Sequence, residues 1–174
     1  MSKKNSAPGN SAPGKKVSES VVQMTELVLP SDTNTLGTIF GGKIMAWIDI
    51  AAAIAAGRHA RRVVVTASID ALHFVSAVKM GHFVHIQASV NFAGRTSMEV
   101  GVRVDAENPL TGKRQHTATA YTTFVALDEN GQPTPVPPLN PETPEEKRRF
   151  AEAQKRRQSR MRLAEELKAT RNDD

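Results

Sequence analysis

The chain contains no cysteine, which excludes disulfides, thiolate zinc sites and cysteine nucleophiles and is compatible with a reducing compartment. It has no run of about 18 apolar residues, the minimum for a membrane-spanning helix. The opening MSKKNSAPGNSAPGKK is basic but lacks the apolar stretch of a signal peptide, so a soluble, cytoplasmic protein is expected. Also missing are the GxSxG elbow, the GxxxxGK phosphate loop, GxGxxG and HExxH. The five histidines are scattered; His82 and His85 fall on opposite faces of one predicted strand and cannot share a metal. What remains is carboxylate or amide chemistry, or no catalysis.

At 174 residues, with 39% hydrophobic and 24% charged residues, the chain fits one globular domain with tails. Residues 1–16 hold the repeated pentapeptide NSAPG, which offers nothing large and apolar to bury, and are expected to be a disordered leader. A folded domain is expected over 17–139, and a charged C-terminal helix or tail over 140–174.

Within the domain, one carboxylate stands out. From Gly41-Gly42 to Gly57 the sequence runs through Ile44, Met45, Ala46, Trp47, Ile48, Ile50 and a string of alanines, broken only by Lys43 and Asp49. The spacing predicts a helix from the glycine pair to Gly57. Ile44, Trp47, Ile48, Ala51, Ile54 and Ala55 form one face, and Asp49 shares the other with Met45, Ala52, Ala53 and Ala56. Neither face is polar, which predicts burial on every side, with Trp47 in the core. A lone carboxylate in such surroundings is costly unless paired or hydrogen-bonded, and the same environment produces general bases and nucleophiles. A structural aspartate and a catalytic one are both compatible with the helix alone.

β-prone runs are predicted over 17–29, 62–74, 82–92, 97–106 and 114–127. In the third, Val84, Ile86, Ala88, Val90 and Phe92 alternate with His85, Gln87, Ser89 and Asn91. In the fourth, Met98, Val100, Val102 and Val104 alternate with Glu99, Gly101, Arg103 and Asp105. Turn residues at 94–96 and 108–112 suit antiparallel neighbours. The expected architecture is α+β, an antiparallel five-stranded sheet wrapped around a central buried helix.

The proline-rich stretch 133–138 ends this pattern. Thr143-Pro144-Glu145-Glu146 supplies an N-cap, a proline at N1 and an acid at N3, predicting a helix to about Thr170, with Glu145–Arg149 and Glu152–Arg156 as i, i+4 pairs. Residues 145–172 carry ten basic and five acidic side chains, a surplus equal to the +5 of the whole chain. The basic balance therefore describes the tail. With Phe150 its one aromatic and no sustained apolar stripe, the tail lacks the parts for base stacking or lipid insertion. A solvated or loosely docked helix is expected, with neither nucleic acid nor membrane as partner.

Four motifs in order, D-x-N-x-x-G-x-x-x-G-G (from Asp32), W-x-D (from Trp47), V-V-T (ending at Thr66) and G-R-S/T-S (from Gly94), resemble those of the hotdog-fold acyl-CoA thioesterases, in the group of brain acyl-CoA hydrolase and its small bacterial relatives. The resemblance covers roughly residues 20–139. It implies hydrolysis of a fatty acyl-CoA thioester to a carboxylic acid and coenzyme A without metal or cofactor. Asp49 would be general base or nucleophile, Asn34 would position water or substrate, and the Gly42 N–H would polarise the thioester carbonyl, Gly41 allowing close approach. Thr66 would line the acyl site, and Gly94, Arg95, Thr96 and Ser97, with Arg62, would bind the coenzyme A portion. Free N–H groups at a helix start are preorganised donors for a developing oxyanion. Asp49 and Gly42 are about 10 Å apart along one helix axis, too far to act together simply, so the site is expected to lie across a homodimer. The resemblance implies a trimer of dimers, a hexamer. Another hotdog enzyme, such as a dehydratase, would need a histidine beside the acid; a non-catalytic acyl-CoA-binding module would work through its tail.

Overall fold

The computed structural model describes residues 13–171. The two-residue strands β1 (Lys15–Lys16) and β8 (Leu139–Asn140) pair in parallel. The main sheet comprises β2 (Val22–Leu27), β3 (Val63–Ile69), β4 (His73–Phe74), β5 (Phe83–Ala93), β6 (Ser97–Glu107) and β7 (Arg114–Leu127). Its order is β2-β5-β6-β7-β3, antiparallel throughout, with β4 adding a short pairing to β7. The expected five-stranded path is therefore present, with β4 as a small sixth piece. The sheet curls around α1 (Gly41–Ala60), and α2 (Pro144–Arg171) lies on the opposite face. Most of the expected leader lies outside the described residues, but its last two residues form β1.

The core forms where the alternation said it would. Val84, Ile86, Ala88 and Val90 of β5 and Met98, Val100, Val102 and Val104 of β6 are buried against Ile44, Trp47, Ile48, Ala51 and Ala55 of α1. Two local expectations change. Gly57 does not stop α1: its carbonyl accepts the N–H of Arg61 (2.8 Å), and the helix ends one turn later with Arg61 left-handed (φ 50°). Arg61 takes up strain that a glycine there would avoid. The run 62–74 also divides, because Asp70 leaves β3 and donates its N–H to the Tyr121 carbonyl (2.9 Å).

The larger correction concerns burial on every side of α1. Ala52 and Ala56, on the Asp49 side, are fully buried, but Met45, Ile50 and Ile54 are exposed. Within one protomer the sheet covers only part of the helix, and an apolar strip is left facing outward. Other exposed apolar residues are Phe40 before α1, Val63, Val65 and Ile69 on edge strand β3, Phe74 on β4 and Val75 after it.

Phe92 departs from its predicted face. A register shift between Val90 and Phe92 places Phe92 opposite Glu99, on the outer surface, where it meets Phe150 of α2 with ring centroids 5.2 Å apart. Glu99, predicted on a solvated face, is 2% exposed beneath α2. Arg156 donates to both its oxygens (Nη2 to Oε1 2.7 Å, Nε to Oε2 3.3 Å), and Arg160 reaches Glu99 (3.2 Å) and Asp70 (2.6 Å). The expected pair Glu152–Arg156 consequently does not form: Glu152 takes Arg148 (2.6 Å), while Arg156 turns inward and stacks over Tyr121 (3.6 Å). The Glu145–Arg149 pair (2.9 Å) and the capping box between Thr143 and Glu146 are as predicted. The tail helix is thus docked by a sunken carboxylate, and no apolar stripe was needed to seat it.

His59, in the last turn of α1, is fully buried; Nε2 lies 2.8 Å from the Pro137 carbonyl, while Nδ1 has no partner among the described residues. Burial holds its pKa below the ordinary 6.5, the Pro137 contact opposing that effect.

Two expectations follow. Arg156→Ala strands part of the Glu99 charge and should cost about 3 kcal/mol in urea unfolding, whereas Glu99→Met with Arg156→Met should cost less than the single change; the reverse order would contradict a desolvated ion pair. For His59, the unfolded chain binds the proton first as pH falls. Its contribution is therefore complete above about pH 6.5 and lost progressively below it. Thermal midpoints should fall between about pH 6.5 and 5, and His59→Phe should flatten that slope.

Candidate active site

Asp49 sits half-buried at mid-helix on the uncovered strip of α1. Its Oδ1 accepts the Thr66 hydroxyl at 2.7 Å. Thr66 reaches it because it is the last regular position of β3 before a register shift between Thr66 and Ser68. Thr66, which the resemblance assigned to the lining of the acyl site, thus lies against Asp49 from 17 positions away in the sequence.

The start of α1 is built differently. Phe40 is the N-cap residue and supplies no side-chain cap; its carbonyl accepts the N–H groups of Lys43 (3.0 Å) and Ile44 (3.4 Å). Among the described residues no acceptor meets the N–H of Gly41 or Gly42, the first orphan donors of the helix. A Cβ on Gly42 would meet nothing within 4 Å, so its backbone stands open, whereas a Cβ on Gly41 would press on Phe74 at 3.3 Å.

Asn34 closes the loop leading to this helix start. Its Oδ1 accepts the N–H of Leu36 (2.9 Å) and Thr38 (3.3 Å), and Nδ2 donates to Thr38 Oγ1 (3.0 Å). The sequence reading missed Thr38 and the role of the neighbouring acid. Buried Asp32 accepts the Leu29 N–H (3.1 Å) and the Lys43 ammonium (3.0 Å), bonds that hold its pKa below the ordinary carboxylate value. Asp32 thereby ties the loop to the first turn of α1, and Lys43 also lies over the Trp47 ring (5.3 Å). The D-x-N pattern was the available signal, but only its asparagine had been given a task.

No hydrogen bond joins Asp49 and Thr66 to Asn34, Gly41 or Gly42 among the described residues, so the protomer keeps the two groups apart. The turn Gly94-Arg95-Thr96-Ser97 is a tight β5–β6 reversal, with Gly94 N–H on the Ser97 carbonyl (2.8 Å) and the Thr96 and Arg95 carbonyls accepting Ala126 and Val136 N–H (both 3.0 Å). Its backbone is committed, but the Arg95 side chain is exposed. Arg62 is also exposed, while Arg58 is engaged with the Val21 carbonyl.

Comparison with known proteins follows the same lines. Residues 36–113 match the thioesterase superfamily. Over 128 residues the chain is 48% identical to a Bacillus subtilis protein named as an uncharacterized acyl-CoA thioester hydrolase, covering 74% of each protein. The chain belongs to the acyl-CoA thioester hydrolases. Its fold is the hotdog fold of that family. Solved relatives include an apo-hexameric acyl-CoA thioesterase (TM-score 0.85, 48% identity, 88% of this chain and 98% of that one). The Staphylococcus aureus acyl-CoA hydrolase was solved with butyryl coenzyme A and coenzyme A (TM-score 0.84, 41% identity, 91% of this chain and 96% of that one). Structures of that enzyme also include single alanine variants of an aspartate, an asparagine and a threonine.

No group of three or more potential metal ligands and no helix long and apolar enough to cross a membrane occurs among the described residues of this thioester hydrolase.

Proposed function

We propose that this protein hydrolyses fatty acyl-CoA in the cytosol, at sites shared by two copies of the chain that pair along their β3 edges. The observation that carries this is the position of Asp49: a carboxylate fixed by Thr66 on an apolar strip that the protomer leaves bare, about 10 Å along the helix from the open N–H of Gly42. A second copy covering that strip brings its own Gly42 and Asn34 opposite Asp49. The alanine variants of the Staphylococcus aureus enzyme support the same triplet, since their asparagine, aspartate and threonine have the sequence spacing of Asn34, Asp49 and Thr66. Three such dimers would make the hexamer.

In this reading the thioester carbonyl oxygen points at the partner helix start, where the unpaired N–H groups stabilise the charge that develops on attack. Asp49 takes a proton from water as the water oxygen bonds to the carbonyl carbon. The tetrahedral intermediate collapses with cleavage of the carbon–sulfur bond, coenzyme A leaves as thiolate and recovers the proton, and the acid product is released. An Asp49 nucleophile would use the same contacts through an acyl-carboxylate anhydride. No cofactor takes part. Arg95, Arg62 and the hydroxyls of Thr96 and Ser97 supply charge and hydrogen bonds for the phosphates and pantetheine chain. A dehydratase reading has no histidine to use on α1, since His59 is buried and held at Pro137.

Asp49→Ala should leave folding and assembly intact and lower turnover by at least about 100-fold; near wild-type turnover by a folded variant would overturn the mechanism. Mixing Asp49→Ala with Asn34→Ala chains should restore part of the activity through composite sites. Absence of recovery despite demonstrated subunit exchange would contradict the shared site.

A further inference from the structure

A row of side chains runs straight across the outer face of the sheet: Phe92 on β5 pairs with Glu99 on β6, Glu99 with Thr123 on β7, and Thr123 with Ser68 on β3. Helix α2 follows this row from the middle of the sheet to its edge. Phe150 meets Phe92, Arg156 meets Glu99, and Arg160 spans Glu99 and Asp70 just past β3. One turn later, Met161 and Ala164 share a cavity with Ser68 and Thr123. At this point α2 has reached β3, the last strand of the sheet.

The helix does not stop there. Every residue from Met161 to Thr170 is exposed, including Met161, Leu163 and Leu167. The docked side of α2, marked by Phe150, Ala153 and Arg160, continues at i+3 and i+4 spacing through Ala164 and Leu167, with no sheet of its own beneath. Arg171 lies seven positions beyond Ala164, about 10 Å of helix and the width of two strands at about 4.8 Å each. Edge strand β3 shows a matching vacancy. Val63 and Val65 flank the inward-facing Thr66 register on the other side of the strand and are 68% and 43% exposed. Pairing β3 to β3 would cover strand edges and the α1 strip, which lies on the opposite face, and would leave these two valines bare.

We infer that the end of α2, residues 161–171, crosses the seam between two copies of this chain and packs on the outer face of the partner's β3, over its Val63 and Val65. In an antiparallel β3–β3 pair, the row that ends at Ser68, near the end of one strand, continues into the beginning of the other, where those valines stand. Arg156 and Arg160 hold the first part of the helix to its own sheet, so its end is delivered across the boundary as a strap. This rests on the edge-to-edge pairing proposed above and goes beyond it: α2 touches neither half-site and acts by holding the two halves together.

The absence of cysteine makes the test direct. Chains carrying Leu167→Cys, enlarged by a size tag, are mixed with untagged chains carrying Val63→Cys under conditions of subunit exchange, then treated with a short bis-maleimide. A tagged-to-untagged cross-link is expected, absent when either variant is treated alone with wild-type chains. No such product overturns the inference, whether the protein elutes as an oligomer or as a monomer. The readout needs no substrate, so a protein that cross-links but fails to hydrolyse acyl-CoA would sink the proposed activity and leave the strap standing. A chain ending at Arg160 should further raise the dimer dissociation constant at least about tenfold while keeping wild-type turnover per dimer at saturating protein; an unchanged dissociation constant would contradict the strap.

Discussion

The protomer ends its own packing too early on one side of α1. The curled sheet covers Ile44, Trp47, Ile48 and the alanines that follow, but Met45, Ile50 and Ile54 remain against water. Fully burying a side chain of this size is worth about 2 kcal/mol, and these are only 40–49% exposed, so each has part of that left to gain from a covering surface. Asp49 stands in that strip and Gly42 at its upstream end. In the proposed dimer the force that covers the helix also assembles the reaction site, so that fold, assembly and chemistry share one constraint.

That constraint was half legible in the sequence. The all-apolar helix was visible, and burial on every side was the natural inference, because a sequence does not say whether the covering atoms belong to the same chain. Strand alternation identified the core of β5 and β6 for the same reason that it failed at Phe92: alternation assumes a regular pleat, and one shift after Val90 turns the ring to the other face. Glu99 was misjudged because a carboxylate on a polar face looks solvated until something covers it. Gly57 looked like a helix stop, yet α1 continued past it and placed the left-handed residue at Arg61. In the candidate site, Asp49, Asn34 and Gly42 were singled out by motif, whereas the Asp32–Lys43 tie was missed because its partners serve the loop and make no claim on substrate.

The two helices show opposite solutions to docking on one sheet. α1 is held by dispersion and area, with alanines allowing close approach. α2 carries little apolar surface and is held where two guanidinium groups meet a sunken carboxylate, assisted by one aromatic contact and the Tyr121 ring. An ion pair of this kind gives limited net stability but tolerates few alternatives in position, which suits an element whose register across the sheet decides where its far end falls.

A crystal structure of the Asp49→Asn protein with an intact acyl-CoA bound tests most directly which protomer supplies which part of the proposed site. The thioester carbonyl oxygen should lie about 3 Å from the Gly42 N–H of one protomer, with residue 49 of the other protomer across the carbonyl carbon. A thioester bound with Gly42 and residue 49 contributed by the same protomer, or bound away from both, would contradict it.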